Sequence, residues 1–288
     1  MNRPATNKNR QNMLNQKPYE INPSTIQSTW GESTPDYWFA DNPFLTHFMN
    51  AFSGILPQGE YFMIASVRSV RDQVQQQAQL NKDISGFIGQ EAHHAKIHQS
   101  FNRMLEERGL PVQQLEKLMM QCLKFVDQLS EQNRMAVTGA TEHFTALFGK
   151  LLLTHPEIIE QIDSTMKRVM IWHALEELEH KAVAYDVYQL IDGSYGRRVY
   201  GILLATGLIS GTVLYGQASF LWADKSIWNL NATMKGLWWM FGVGKKAGYF
   251  RKALPGYLEF FKPNFHPMHD DNSALIEQWK PILNLHNV

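Results

Sequence analysis

Two short motifs in this chain combine the residue types that bind metal ions. Each has a glutamate followed three residues later by a histidine, Glu91 with His94 and Glu177 with His180. Residues three apart share one face of an α-helix, so each pair can hold a single ion. One motif of this kind is common on charged helices, whereas two of them on separate helices favour a metal site.

A further glutamate precedes each motif at nearly the same distance. Glu60 lies 31 residues before Glu91, and Glu142 lies 35 residues before Glu177. One glutamate from each of two helices, with a glutamate–histidine pair from each of the other two, is the ligand arrangement of ferritin-like dinuclear bundles. Two divalent cations would also compensate four carboxylates whose burial is otherwise unfavourable. We therefore predict a dinuclear centre held by these residues and the two histidines.

Two more histidines extend the pattern. His173 lies four residues before Glu177, and His98 lies four residues after His94, each on the helix face of its motif. We predict His173 as a seventh ligand, His98 as a neighbouring catalytic group, and Tyr188 as a side chain that closes one end of the site. Mixed carboxylate and imidazole ligands suit iron or manganese better than zinc. Two iron ions are therefore the predicted cofactor, with manganese or zinc as the alternatives.

Proline and glycine residues divide the chain into segments with helical periodicity, and no segment shows the alternation typical of strands. The predicted helices cover residues 44–79 with a break at 56–59, then 82–108, 114–129, 131–153 and 157–190. Pro57 is predicted to begin a new helix, with Glu60 near its start. The fold class is predicted to be all-α: a ferritin-like four-helix bundle with additional helices and an apolar C-terminal helical segment.

Composition shifts along the chain predict three regions. Residues 1–35 are predicted to be a disordered tail, residues 36–195 the metal-binding bundle, and residues 196–288 an apolar helical hairpin with a C-terminal cap packed on the bundle. Residues 199–223 contain no Asp, Glu, Lys or Arg, and residues 227–244 contain one lysine and three tryptophans. The first stretch could span about 30 Å of hydrocarbon. Membrane contact and a long buried helix are the two alternatives for it.

The overall composition restricts partners and location. Lys and Arg number 27, and so do Asp and Glu, which argues against nucleic acid as a partner. Cys122 is the only cysteine, so no intramolecular disulfide can form and a reducing compartment is expected. No apolar leader is present, which predicts a cytoplasmic protein, with membrane association through residues 199–244. The candidate partners are a small apolar molecule, a membrane surface and a second copy of the chain.

Several sequence blocks resemble the bacterial family named predicted metal-dependent hydrolase. They are NPFLTHFMNA (42–51), LPQGE (56–60), FIGQEAHH (87–94), WHALEELEHK (172–181) and FHPMHDDN (265–272), and the resemblance covers about residues 40–285. It implies a ferritin-like fold with a dinuclear metal site, and the family name implies hydrolysis. The ligand set that includes His173 is also similar to that of di-iron N-oxygenases. His266 and Asp270 belong to the last block, and their role is left open.

Three functions are compatible with these residues. The main prediction is O2-dependent oxidation of a hydrophobic small molecule at a di-iron centre, because carboxylate-rich ligands stabilise oxidised iron. The first alternative is hydrolysis by a metal-activated water, for which only the ligands and His98 offer a general base. The second alternative is a bundle that binds or stores metal without catalysis.

Overall fold

The computed structural model describes residues 19–283, in which the regular structure is helical. In chain order the helices are α1 (Pro43–Val70), α2 (Ala78–Glu107), α3 (Val112–Asp127), α4 (Glu131–Thr154), α5 (Ser164–His180), α6 (Val183–Ile191), α7 (Tyr195–Ala223), α8 (Leu230–Phe241), α9 (Tyr249–Glu259) and α10 (Ser273–Leu283). Shorter helical turns cover Arg71–Val74, Pro156–Ile159, Ser226–Trp228 and Pro267–His269. Residues 19–283 contain no β-strand, which confirms the all-α prediction. The ferritin-like assignment within that class stays a prediction.

Capping residues determine where several of these helices begin and end. The Asn42 side chain accepts a hydrogen bond from the Leu45 amide. Pro43 occupies the first position of α1, where a backbone N–H would have no helical partner. Gly109 and Gly193 follow α2 and α6 with φ angles of 83° and 65°, the left-handed conformation that commonly ends a helix. The sequence predicted both of these glycine stops.

α1 continues through Pro57, so the predicted break at residues 56–59 is wrong. A proline inside a helix removes one backbone hydrogen bond and crowds the preceding turn, which costs about 3 kcal/mol. Ile55, Leu56 and Pro57 are all buried, and their packing offsets that cost. Glu60 therefore lies well inside a 28-residue helix rather than at the start of a new one.

The single helix predicted over residues 157–190 is divided, and this prediction is also wrong. The turn Pro156–Ile159 is followed by α5, whose N-cap is Asp163. The Asp163 carboxylate accepts a hydrogen bond from the Thr165 amide at 2.9 Å, which stabilises the N-terminus of a new helix. A turn at residues 181–182 then separates α5 from α6. His180 is the last residue of α5 as a consequence.

α7 lies along the bundle and packs against α1 and α4. A Cβ atom at Gly201 would lie 2.5 Å from the carbonyl oxygen of Ala136 in α4, and one at Gly216 would lie 2.9 Å from Ala51 Cβ in α1. These glycines therefore permit a close approach of the helices. Among residues 19–283, α7 is the one helix long and apolar enough to cross a membrane, and 33% of its apolar window is buried. That observation is weak evidence for a span, because core helices share these properties.

Part of the predicted disordered tail packs on the helices. Ile21 is buried, and a Cβ atom at Gly86 of α2 would lie 2.2 Å from its carbonyl oxygen. Ser24 is also buried, and its amide donates a hydrogen bond to Glu176 of α5 at 3.1 Å. Ile21 and Ser24 of the predicted tail thus have partners on the bundle, while the predicted boundaries of the three regions stay predictions. Residues 1–18 lie outside the described residues.

Candidate metal centre

Four helices bring the predicted ligands together in the protein interior. The ligands are Glu60 from α1, Glu91 and His94 from α2, Glu142 from α4, and His173, Glu177 and His180 from α5. They form two groups, in each of which one donor atom from every residue lies within 4.8 Å of the others. The first group is Glu60, His94 and His173, and the second is Glu91, Glu142, Glu177 and His180. The structure thus gathers all seven residues, while their binding of metal stays a prediction.

Glu91 and Glu177 face both groups. Glu91 Oε1 lies 3.0 Å from His180 Nε2 and 3.6 Å from His94 Nδ1. Glu177 Oε1 lies 2.7 Å from His173 Nε2 and 3.6 Å from His94 Nδ1, while its Oε2 lies 3.4 Å from His180 Nε2. Carboxylates shared between two groups of donors fit a pair of ions better than a single ion.

Many donor atoms in the cluster have no hydrogen bond of acceptable geometry. Within the described part of the chain, no hydrogen bond of acceptable geometry reaches either buried carboxylate oxygen of Glu60, Glu91 or Glu142, nor the buried atoms His94 Nδ1 and His180 Nε2. Buried polar atoms in folded proteins almost always have a partner, because an ionised carboxylate is costly to desolvate. Cations between these atoms would satisfy them together. The residues present therefore fit a pair of divalent ions.

The cluster shifts the pKa values of its own acids and bases. Burial and the charge of Glu91 raise the pKa of Glu60 well above its usual range, and burial raises the pKa of Glu142 to about 8. Burial alone would lower the pKa values of His94 and His180, but the facing carboxylates raise both well above the ordinary value. Large shifts in a buried group of acids and bases are typical of functional sites.

Gln90 orients His180 from the side opposite the cluster. His180 Nδ1 lies 2.9 Å from Gln90 Oε1, and Gln90 Nε2 donates to Glu179 Oε2 at 2.8 Å. Glu179 in turn accepts a hydrogen bond from Lys280 Nζ of α10 at 2.8 Å. A partner on one ring nitrogen determines where the other nitrogen points. Gln90 therefore directs His180 Nε2 towards the carboxylates.

Glu176 orients His94 in the same way. His94 Nε2 lies 3.1 Å from Glu176 Oε2, which leaves Nδ1 facing the cluster. Glu176 Oε1 accepts hydrogen bonds at 3.1 Å from Trp172 Nε1 and from the Ser24 amide. A carboxylate on the far nitrogen of a ligating histidine is frequent in metalloproteins. The N-terminal segment thus reaches His94 through one intermediate side chain, that of Glu176.

His98 contacts His173 and belongs to neither group of donors. His98 Nε2 lies 2.8 Å from His173 Nδ1, and His98 Nδ1 lies 2.7 Å from Ser53 Oγ. Both ring nitrogens of His98 are therefore engaged, and His173 presents Nε2 to the cluster. Burial and the nearby His173 lower the pKa of His98 well below its ordinary value, which favours the neutral ring.

Tyr188 does not take the place predicted for it. Its hydroxyl donates to the carbonyl oxygen of Ser194 and lies 3.3 Å from Asp192 Oδ2, so it stabilises the connection between α6 and α7. The prediction assumed one helix from Glu177 onwards, whereas the turn at residues 181–182 changes the face on which later residues lie. The predicted role of Tyr188 in closing the site is therefore wrong.

His266 and Asp270 lie at a separate polar cavity of about 490 Å³. His266 Nε2 lies 2.8 Å from Asp186 Oδ1, and Asp270 Oδ1 accepts a hydrogen bond from Lys150 Nζ at 2.6 Å. The carbonyl oxygen of Asp270 also accepts from Lys181 Nζ at 2.5 Å. These contacts attach the C-terminal block to the bundle, which gives both residues a structural role.

An apolar cavity of about 140 Å³ borders the cluster. Glu177, His173, His98 and Ser53 form part of its wall. Aromatic side chains form much of the remainder, including Trp30, Trp38, Phe39, Phe48, Phe52, Phe101, Phe148 and Trp239. A dry cavity of about 150 Å³ is enough to hold benzene. The space beside the candidate metal centre therefore suits an apolar group of about that size.

Sequence reasoning did not identify Gln90, Glu176 and Glu179 as supports of the site. Each is off the face that carries the ligands, where a polar side chain usually reaches solvent. One signal was available: α5 has apolar residues on every side, which indicates a helix buried all round. Glu176 and Glu179 are 2% and 4% exposed, and polar groups on such a helix need buried partners.

Comparison with known proteins agrees with the resemblance found in the sequence. A family model described as "Predicted metal-dependent hydrolase" matches residues 22–271. No curated protein and no solved structure matches the chain significantly. The matched range contains all seven clustered donors and the glutamine and glutamates that orient them, and it covers well over half of the 288 residues. The chain therefore belongs to the predicted metal-dependent hydrolase family.

Proposed function

We propose that this protein is a dinuclear metal-dependent hydrolase that acts on an ester or amide of a small apolar acid. The observation that carries the proposal is the position of a buried carboxylate–imidazole cluster at the wall of an aromatic cavity. The family description supports the same reaction class. Hydrolysis thus replaces oxidation, the main prediction from the sequence, as the leading hypothesis.

Each part of the site has a role in this proposal. Glu60, His94 and His173 would hold one ion, and Glu91, Glu142, Glu177 and His180 would hold the other. Bound divalent ions supply a nucleophile from water at neutral pH and stabilise negative charge on an acyl oxygen. His98 acts as a positioning residue, because it contacts His173 and Ser53 through its two ring nitrogens.

The cavity determines which substrates fit. Its polar side chains include Ser53, His98 and Thr145, and none of the lysines and arginines within residues 19–283 lines it. Among the aromatic rings, away from the cluster, an anionic group would therefore be desolvated without a cationic side chain beside it, which is unfavourable. A neutral substrate can place its apolar part among the aromatic rings and its carbonyl group beside the cluster. Aryl esters and short-chain acyl esters are the expected substrates.

Oxidation of an apolar molecule by O2 at two iron ions is the second candidate. The specific observation in its favour is the donor set, because four carboxylates with three imidazoles suit iron or manganese better than zinc. The same aromatic wall lacks cationic groups that could stabilise an oxyanion, so any such stabilisation would depend on the ions alone. Manganese stays an alternative to iron in either reaction, whereas zinc, which has no redox chemistry, is an alternative for hydrolysis only.

One experiment separates these candidates. The purified protein is first analysed for bound metal, then stripped and reloaded with zinc or, under anaerobic conditions, with ferrous iron. Hydrolysis of p-nitrophenyl esters by the zinc form without O2 is the result that we expect. An absorbance change when O2 reaches the ferrous form, with no ester hydrolysis by any form, would favour oxidation. Tight metal binding without either activity would point to metal storage.

A further inference from the structure

The end of α7 and the outer side of α8 expose an unusual number of large apolar side chains. On α8 these are Leu230, Met234, Leu237, Trp238 and Phe241, a spacing that places them on one helix face. Trp228, which precedes α8, is 75% exposed, and Leu230 is 73% exposed. Trp222 of α7 lies beside Trp228, with 6.4 Å between their ring centroids. We call these seven residues the apolar face.

The opposite side of α8 is attached to the bundle. Ala232, Gly236 and Met240 are buried, and a Cβ atom at Gly236 would lie 2.3 Å from the Phe44 ring. The Asn42 side chain donates a hydrogen bond to the carbonyl oxygen of Ala232 at 3.1 Å. The helix is therefore held in a fixed orientation, with the apolar face turned away from the protein. A contiguous exposed face of this kind indicates an interaction surface.

The charged residues around the apolar face indicate the kind of partner that fits it. Between Asp224 and Glu259 the chain has six lysine and arginine residues and no aspartate or glutamate. Lys225, Lys235, Lys245 and Lys246 in this segment are exposed. Tryptophan and leucine flanked by cations are typical of segments that lie in the interface of a membrane with anionic lipids.

The packing of α7 favours docking on a membrane over crossing it. Buried residues recur along the whole helix, from Gly201 through Val213 to Phe220, because one side of it covers the bundle. If α7 crossed the bilayer, the charged helices packed against it would enter the hydrocarbon as well, which is unfavourable. We propose that the apolar face binds the surface of a bilayer that contains anionic lipids, with the surrounding lysines at the headgroups.

The apolar face lies next to the apolar cavity. Trp239, adjacent to Trp238 on α8, lines the cavity wall. Phe241 of the apolar face contacts Phe250, with 5.6 Å between the ring centroids, and Phe250 contacts the cavity residue Phe148 at 5.8 Å. If the proposed function is correct, this position lets an apolar substrate pass from the membrane to the metal centre. Membrane docking itself does not depend on that function.

Co-sedimentation with vesicles tests the proposal without any measurement of activity. The full chain is mixed with vesicles of phosphatidylcholine alone or of phosphatidylcholine with phosphatidylglycerol, and binding to the mixed vesicles is expected. Leu230→Glu/Met234→Glu should weaken that binding at least about 25-fold, since each charge at an anionic surface changes partition about fivefold. Leu258→Glu/Ile282→Glu is the matched control, because both residues are exposed, at 53% and 61%, but lie on α9 and α10.

The lysines are tested separately, by comparing Lys235→Ser on α8 with Lys96→Ser on α2. Only the first should lower binding, by about fivefold, and high salt should abolish the difference. No binding to mixed vesicles, or equal losses in test and control variants, would overturn the proposal. Release from vesicles by detergent alone would overturn it in favour of a membrane span. A dimer that only Leu230→Glu/Met234→Glu dissociates, with vesicle binding unchanged, would overturn it in favour of self-association.

Discussion

At the scale of single residues, the direction of each imidazole ring depends on groups that are not themselves in the donor clusters. His180 is held by Gln90, and His94 is held by Glu176. An unconstrained ring would sample several orientations, and only some of them point a nitrogen at the other donors of the cluster. If the cluster holds metal as proposed, these partners would lower the entropic cost of binding without touching an ion.

Replacing Gln90 with leucine tests this view of the site. Gln90→Leu removes the partner of His180 Nδ1 and keeps a side chain of similar size, so we expect metal affinity to fall about 10–100-fold. Competition with a chromogenic chelator measures the change. Gln99→Leu on the same helix is the control, because the Gln99 side chain donates a hydrogen bond to the exposed Tyr61 hydroxyl, at 3.4 Å, rather than to a residue that orients the cluster. Equal effects of the two substitutions would contradict an orienting role.

Phe52 limits the size of the apolar cavity. Its ring lies 5.1 Å from that of Phe148, measured between centroids, and both line the space beside the cluster. Phe52→Ala should shift ester preference towards larger acyl groups without loss of bound metal, and should destabilise the fold by up to about 3 kcal/mol. Rates for a series of acyl esters test the shift. Phe125→Ala on α3, at an exposed position away from the cavity, should leave the preference unchanged.

At the scale of helices, glycines determine how closely α7 approaches its neighbours. Gly201→Ala places a methyl group 2.5 Å from the backbone of α4, so we expect a loss of about 1–3 kcal/mol in the free energy of unfolding. Gly207→Ala on the same helix meets nothing within 4 Å and should stabilise by up to about 1 kcal/mol. Urea denaturation of both variants measures these changes. Stabilisation by both substitutions would show that α7 does not pack on α4 in solution.

Helices and the residues of the donor cluster were predictable from the sequence because both depend on local spacing. The glutamate–histidine motifs place donors on one face, and Gly109 and Gly193 end helices through their own conformation. The course of the chain at Pro57 was not predictable in the same way. Whether a proline breaks a helix depends on the burial of its neighbours, which is a tertiary property.

The supports of the site depend on contacts between residues far apart in the chain. Ser24 and Glu176 are 152 residues apart, and no local pattern indicates that one donates to the other. The turn at residues 181–182 also has no local signal in the sequence, since it contains neither proline nor glycine. The sequence therefore predicted which residues come together in the cluster but missed how the cluster is held and where Tyr188 lies.

At the scale of the whole molecule, a net charge of zero conceals two separate concentrations of charge. Four glutamates are buried around one space, whereas the chain between Asp224 and Glu259 carries only cations. The buried glutamates affect stability through their protonation, and the surface cations affect what the protein binds. Net charge argued against nucleic acid as a partner, which stays a prediction, and it could not indicate either local effect.

The buried cluster should make the pH dependence of stability opposite in the metal-free and metal-loaded proteins. In the metal-free protein the pKa of Glu142 is raised to about 8, and those of Glu60, His94 and His180 are raised well above their ordinary values. These groups hold protons in the folded state that the unfolded chain releases as pH rises. Between about pH 7.5 and 8 the folded state therefore binds more protons, and the free energy of unfolding falls as pH increases.

Other histidines have lowered pKa values in the folded state. They do not oppose this trend in that range, because their imidazole groups are largely deprotonated in the unfolded chain as well. With metal present the sign should reverse, since ions compete with protons for the same donors and bind more tightly as pH rises. At a thousandfold excess over Kd, bound metal contributes about 4 kcal/mol per site. Urea denaturation at several pH values, with chelator or with metal, measures both slopes.

Asp186→Asn changes a buried carboxylate outside the cluster and should preserve the reversal, whereas Glu142→Gln should reduce it. Slopes of the same sign in both forms would show that these glutamates do not bind metal.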